Sequence, residues 1–279
     1  MDIDRITFRI LSGYIEKLCG LVLDDSKTYL IENRLSPLVE SLGCKGMAEL
    51  YQRAVQDSTH EIDRKIVDLI TTPETAFFRD PQVFDALRYR IIPDVVDNKR
   101  GRGETSPNIR FWSAGCSTGQ EVYSIAMACH EMLHHTGIEF SVLGTDISAT
   151  NISKASAGIY SDAEVQKGLN QSQIETCFQR VAAGWKIRDE LRSRATFKRL
   201  NLLESFAGIG RFDVVFCRNV SIYFSPDVKT ALYQRIARVM MTDGFLVLGS
   251  AESLFEPQPL FKPKRHLRTL FYQRTRELP

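Results

Sequence analysis

No apolar run in the sequence approaches the roughly 20 residues that a membrane-spanning helix needs. The opening residues MDIDRITFRIL begin acidic, unlike a secretory signal. A cytoplasmic protein without membrane insertion is therefore expected. The six cysteines (Cys19, Cys44, Cys116, Cys129, Cys177 and Cys217) are scattered, with no CxxC and no Cys/His pair at ligand spacing. Free buried thiols are expected, and a zinc site is excluded. His130 and His134 stand four residues apart on one helical stretch, a spacing that could present two ligands to a metal. Next to His135 they read better as the polar end of a helix near its negative terminus, and no metal is expected. Internal repeats and low-complexity tracts are also missing. A net charge of only +2 and the lack of an aromatic stacking platform exclude a dedicated nucleic-acid binder. With 43% hydrophobic and 25% charged residues, the chain can bury a sizeable core.

The usual phosphate fingerprints are missing as well. Residues 110–124, RFWSAGCSTGQEVYS, have the small residues of a nucleotide-binding turn between a strand and a helix. They lack the glycines of GxGxxG, and Gln120 stands where GxxxxGK[ST] requires lysine. The ligand of this loop must be inferred from its surroundings.

What is present falls into two parts. Residues 1–75 carry 9 Lys+Arg against 13 Asp+Glu, a balance of −4, which leaves +6 for the remainder. Apolar residues recur at helical spacing at Ile6, Ile10, Tyr14 and Leu18, and again at Leu35, Leu38, Val39 and Leu42 before Gly43. Leu50 with Ala54, and Ile62, Ile66, Leu69 and Ile70, predict two further helices, so residues 1–70 read as a small helical bundle. From residue 108 short β-type runs alternate with helical stretches, the rhythm of a parallel sheet with crossover helices. The run FDVVFCRN is apolar throughout, as befits a strand covered on both faces. Ser225 and Pro226 then open a helix whose stripe is Val228, Leu232 and Ile236. GFLVLGS and TLFYQR predict the last strands. Residues 161–200 interrupt the alternation and read as an insertion. Its stretch Arg180–Arg199 holds seven basic and two acidic residues, a basic hairpin.

In open parallel sheets, ligands bind at the carboxyl ends of the strands. Gly115, Glu121, Asp146, Arg218 and Asn219 all fall there. Asp146 is placed to accept hydrogen bonds from a ribose diol. Each residue has a structural reading beside the functional one. The glycines serve a tight turn, Asp146 caps the following helix, and Arg218 pairs with a local carboxylate. Their shared location favours a ligand, and the acid at Glu121 points to one that is cationic and free of phosphate.

Five motifs in order, TTPETAFFRD, FWSAGCSTGQEVYSIAM, GTDIS followed by KASAGIY, LNLL and FDVVFCRNVSIYF, resemble the CheR family of chemotaxis receptor methyltransferases. The resemblance covers nearly the whole chain. It implies an α/β protein: a Rossmann-like class I S-adenosylmethionine-dependent methyltransferase domain over 76–279, preceded by an all-α bundle over 1–75. A small antiparallel β-subdomain would be inserted at about 161–200. The cofactor would be S-adenosylmethionine, the product S-adenosylhomocysteine, with no metal. Carried onto matching positions, Thr75, Arg79, Glu121, Asp146, Asn201, Leu202, Arg218 and Asn219 would surround the cofactor, with Gly115 in its loop. Arg79 and Tyr223 would lie at the methyl group being transferred.

The implied reaction is methyl esterification of glutamate side chains on the cytoplasmic helical domain of chemoreceptors. Its alternatives are another carboxylate substrate, or a scaffold that binds the cofactor without turnover. Pro73, Gln120 and Val122 depart from the family's residues, and the first domain is acidic where receptor docking often uses a basic helix. The insertion lacks the glycine-containing loop of members that tether to a receptor's last residues. A monomer independent of that tether is expected, with Arg188, Arg192 and Arg194 facing an acidic partner.

Overall fold

A computed structural model describes residues 3–71, 74–254 and 259–275; Pro73 lies outside them. Helix α1 (Arg5–Cys19) starts where the Asp4 carboxylate accepts the N–H groups of Ile6 and Thr7, and it stops at left-handed Gly20. Helices α2 (Thr28–Ser41), α3 (Met47–Gln56) and α4 (Glu61–Ile70) pack with it around one core. The face that α1 buries is Phe8, Leu11, Ile15 and Cys19, whereas Ile6 is 73% and Ile10 44% exposed. Of the stripe expected from spacing, Ile6 and Ile10 are turned outward, while Tyr14 and Leu18 pack half-buried against the core. The Tyr14 hydroxyl donates to Asp63 Oδ1 at 2.5 Å, and the Phe8 stripe goes inward because it buries an aromatic ring at one end and Cys19 at the other.

After a linker, α5 (Pro81–Ala86) runs through a π turn at Leu87–Ile91 into α6 (Ile92–Gly101). Strands β1 (Asn108–Ala114) and β2 (Glu139–Asp146) flank α7 (Gln120–Leu133), and α8 (Ala149–Ala157) leads to the short β3 (Ile159–Tyr160). Next come α9 (Asp162–Gln166), α10 (Gln171–Cys177), β4 (Phe178–Val181), β5 (Gly184–Ile187), α11 (Asp189–Arg192) and β6 (Ala195–Arg199). The chain ends with β7 (Phe212–Cys217), α12 (Pro226–Val239), β8 (Met240–Leu248), β9 (Phe261–His266) and β10 (Thr269–Arg274).

Seven strands form one sheet in the order β6-β2-β1-β7-β8-β10-β9. The first five are parallel, and β10 and β9 add an antiparallel edge. The fold is Rossmann-like, with its switch point between β1 and β7. Alternate residues face the two cores. Phe111, Val214 and Phe216 point to one, and Trp112, Val215 and Cys217 to the other.

The antiparallel subdomain is the three-stranded sheet β3-β5-β4. Residues 195–199, expected in its hairpin, instead pair in parallel with β2 at the edge of the main sheet. Their polar sequence suits an edge strand as well as a hairpin.

Candidate active site

The β1–α7 loop is crowded: a Cβ on Gly115 (φ 81°) would lie 2.4 Å from Val220 Cγ2. Four of its N–H groups are already used. Those of Gly115 and Cys116 both reach Thr145 O at 2.8 Å, that of Ser117 reaches Asp146 Oδ2 at 2.8 Å, and that of Gly119 reaches Cys116 O at 3.0 Å. These four are not free to cradle a phosphate, which needs unpaired donors.

Asp146 accepts from Ser117 N–H, from Ser148 N–H at 2.9 Å and from the Asn151 amide at 3.3 Å. Burial pushes its carboxyl above the usual range, and these hydrogen bonds only partly oppose that. A carboxylate has about four acceptor sites. Three are taken, so Asp146 offers a ligand one strong hydrogen bond rather than two. The cap of α8 is Ser148, not Asp146.

Arg218, with its side chain 1% exposed, sits behind the loop. It donates to Glu121 Oε2 at 2.9 Å, to Asp80 Oδ2 at 2.7 Å and to Arg79 O at 2.8 Å, while its Nε has no partner. The second oxygen of Glu121 takes the Ser113 hydroxyl at 2.7 Å. Arg218 is thus shared between two carboxylates, Glu121 and Asp80, and the cluster keeps a net negative charge. The network stakes down the turn around Arg79. Phe78 (φ 47°) and Asp80 (φ 59°) are both left-handed, a conformation costing on the order of 1–3 kcal/mol each outside glycine. The guanidinium of Arg79, held between them, makes one hydrogen bond, to Glu74 O at 2.9 Å, and has no carboxylate partner among the described residues.

Across the cavity, left-handed Asn219 (φ 58°) gives its N–H to Glu252 Oε2 at 2.5 Å. Tyr223 ends a single 3-10 turn, is 48% exposed, and its hydroxyl has no partner among the described residues. Asn201 donates to Leu18 O at 2.8 Å and accepts from Leu203 N–H at 3.0 Å. Leu202 is buried and Thr75 half-buried.

These pieces enclose a cavity of about 400 Å³. Thr75, Arg79, Gly115, Glu121, Asp146, Asn201, Leu202, Arg218, Asn219 and Tyr223 all line it. So do residues the sequence reading missed, among them Val22, Leu23, Lys27 and Leu30 from the helical bundle. No motif marks them, because their part in the wall follows from tertiary packing alone. Arg188, Arg192 and Arg194, expected to face a partner, lie outside the cavity's lining. Arg194 pairs with Glu139 and stacks on Phe140 at the start of β2, the end of the sheet away from the cavity. Arg188 donates to Glu175 O at 3.0 Å, and Arg192 is half-buried.

The sequence matches the family described as CheR methyltransferase, all-alpha domain over residues 6–71, and CheR methyltransferase, SAM binding domain over 73–268. The chain belongs to the CheR methyltransferase family. It is 37% identical over 259 residues to chemotaxis protein methyltransferase Cher2 of Pseudomonas putida, covering 91% of this chain and 92% of that one. It is 38% identical to chemotaxis protein methyltransferase 1 of Pseudomonas aeruginosa, with the same coverage. A chemotaxis protein methyltransferase of Vibrio anguillarum is 39% identical over 251 residues, 88% of this chain and 89% of that one.

As a CheR methyltransferase the protein carries out S-adenosylmethionine-dependent methylation in chemotaxis. The cavity suits that cofactor. Its volume lies within the roughly 300–1,000 Å³ of small-molecule sites. The four engaged loop donors suit a nucleoside without phosphate, and Asp146 keeps one acceptor for a hydroxyl. Among the described residues no group of three or more His, Cys, Asp or Glu is placed to hold a metal ion. None of the helices is long and apolar enough to cross a membrane, again among the described residues.

Proposed function

We propose that the protein methylates glutamate side chains on the cytoplasmic helical domain of chemoreceptors, giving glutamyl methyl esters, and that it works in the cytoplasm as a monomer. The observation that carries this reading is Arg79. A guanidinium without a carboxylate partner is held at the cavity between two strained residues, across from the free hydroxyl of Tyr223. Such a pair suits an incoming carboxylate. A scaffold without turnover has no use for the strain.

In this reading Asp146 accepts from the ribose, and Asn201, Leu202, Asn219 and Thr75 line the rest of the cofactor's site. Glu121 and Arg218 act from behind, fixing the loops that carry Gly115 and Arg79. When bound, the cofactor supplies an electrophilic methyl group on a sulfonium. A glutamate with a pKa near 4.3 is ionised at neutral pH, so no general base is required. Opposite charges cancel as the carboxylate and the sulfonium combine, and tight pairing of the carboxylate would stabilise the ground state more than the transition state. Arg79 and Tyr223 therefore serve to orient the oxygen, Tyr223 through a single hydroxyl and Arg79 through what its bond to Glu74 leaves free.

Incubation of a receptor signalling fragment with methyl-labelled cofactor tests the reading. Label released by base as volatile methanol is expected. Base-stable label would rule out the ester, and label on intact but not tail-truncated receptor would rule out independence from a tether.

A further inference from the structure

Two contacts tie the start of the chain to loops far along the sequence. Asn201 Nδ2 donates to Leu18 O at 2.8 Å, and Val22 N–H donates to Tyr223 O at 3.0 Å. Between these anchors the chain leaves α1 and passes along the cavity, to which it contributes Leu21, Val22 and Leu23. Gly20, at φ 81°, is pressed against the opposite loops. A Cβ there would lie 2.9 Å from Phe224 Cε1 and 3.0 Å from Leu203 Cδ2. The orientation of the Asn201 amide follows from its partners, since a carbonyl can only accept and an N–H can only donate.

We infer that Asn201 is a positioning residue whose amide, by holding Leu18 at the end of α1, anchors residues 20–24 as a strap closing the cavity, so that strap closure and cofactor retention are coupled. The family resemblance gives Asn201 a cofactor contact only. Its amide keeps one N–H and one lone pair free, so a single side chain can both face the cofactor and hold the wall that covers it. Coupling of this kind is reciprocal: whatever holds the strap closed slows loss of the ligand, and the ligand in turn holds the strap. The inference rests on the placement of the cofactor proposed above, but its first arm does not.

That arm is amide hydrogen exchange at Val22 in the ligand-free, full-length protein. Asn201→Ala should speed it about five-fold, the share of one hydrogen bond. S-adenosylhomocysteine at saturation should slow exchange at Val22 in the wild type, and stopped-flow dissociation of that product should quicken about five-fold in the variant. Gly20→Ala reaches the same strap through its left-handed backbone and its contacts with Phe224 and Leu203. The effects of Asn201→Ala and Gly20→Ala should not add, because both open one closure. Thermal midpoints establish that each variant is folded. Unchanged Val22 exchange in ligand-free Asn201→Ala overturns the strap, whatever the product does. Faster Val22 exchange there, with no protection of the wild type by the product, overturns the coupling. Failure of the product to bind at all overturns the cofactor's placement and leaves the first arm to decide the strap.

Discussion

The two ends of the central sheet both bury charge, yet only one carries a site. At the amino end Lys99 Nζ lies 3.1 Å from Asp213 Oδ1 and 3.4 Å from Glu104, and the other Asp213 oxygen accepts Arg110 N–H at 2.8 Å. At the carboxyl end Arg218 holds Glu121 and Asp80. Burial raises the carboxyl of Asp213 and that of Asp146 alike, so a perturbed acid does not tell the ends apart. Backbone strain does. Of seven non-glycine residues at positive φ among the described residues, Phe78, Asp80, Ser117 and Asn219 stand in the loops around the cavity, whereas Asp243 lies at the other end. A buried ion pair that only joins elements needs no strained backbone. One that aims a free cation into a cavity is worth the strain.

The sharpest way to break this contrast is to remove one member of each pair. Asp213→Ala leaves Lys99 buried with only the more exposed Glu104, and Arg218→Ala leaves two acids unpaired. Each should lower unfolding stability by about 3–5 kcal/mol. Calorimetric titration below the unfolding midpoint should then separate them. The Asp213 variant should bind S-adenosylhomocysteine like the wild type, and the Arg218 variant should have lost it. A ten-fold weaker Asp213 variant would show that the ends are not independent.

Next in size are the rates. Arg79→Ala should lower kcat by about 10²-fold, the scale of a misplaced reactant. Tyr223→Phe should lower it about ten-fold, with product affinity nearly unchanged. Arg110→Ala at the other end removes a cation stacked on Phe212, and it should leave kcat alone. Full activity in both Arg79→Ala and Tyr223→Phe would remove these residues from the site.

Asp146 gives a smaller, pH-dependent effect. With its carboxyl raised by burial, the ligand-free protein holds a proton there over a window above the ordinary carboxylate range. The ribose needs the ionised acceptor, so affinity should climb as pH rises through that raised value and level off above it. Folding stability has the opposite slope: a raised folded-state pKa means that the native state binds more protons, and this contribution is lost as pH rises through the folded value. Asp146→Asn should flatten the affinity profile and weaken binding by about 1.5 kcal/mol, one hydrogen bond to a charged group. Asp213→Asn should leave that profile as it was.

Much of the carboxyl end was legible because a buried strand announces where it stops. FDVVFC is apolar throughout, so Arg218 and Asn219 mark its end, and Asp146 does the same for β2. What Glu121 and Arg218 do to one another was not legible, since 97 residues separate them. The strap was hidden for the same reason. α1 offered two apolar stripes, and only the packed bundle chooses Phe8 over Ile6. β6 and β9 are edge strands; β6 passed for part of a hairpin, and β9 (FKPKRH) shows no apolar alternation at all.

The smallest expected effect is that of salt, and it turns on where the arginines went. Read from the sequence, Arg188, Arg192 and Arg194 would draw in an acidic helix, and the rate would fall with ionic strength. In the structure Arg194 is paired and Arg192 half-buried, and Lys27 and Arg79 line the cavity beside the paired Arg218. Around them stand exposed apolar side chains: Val22 at 45%, Ile222 at 42% and Tyr223 at 48%. Contacts of that kind are not screened as the Debye length shrinks from about 10 Å at 0.1 M salt to 3 Å at 1 M. Two exposed pairs at about 0.3 kcal/mol each, the low end of what such pairs contribute, sum to about 0.6 kcal/mol. Methylation of a receptor fragment should therefore stay within about a factor of three over that range. Arg194→Glu, which sets two acids side by side at the far end of the sheet, should lower the thermal midpoint and leave KM for the receptor unchanged. A ten-fold loss of rate with salt, together with a raised KM in the Arg194 variant, would return docking to the insertion and to the charges first read there.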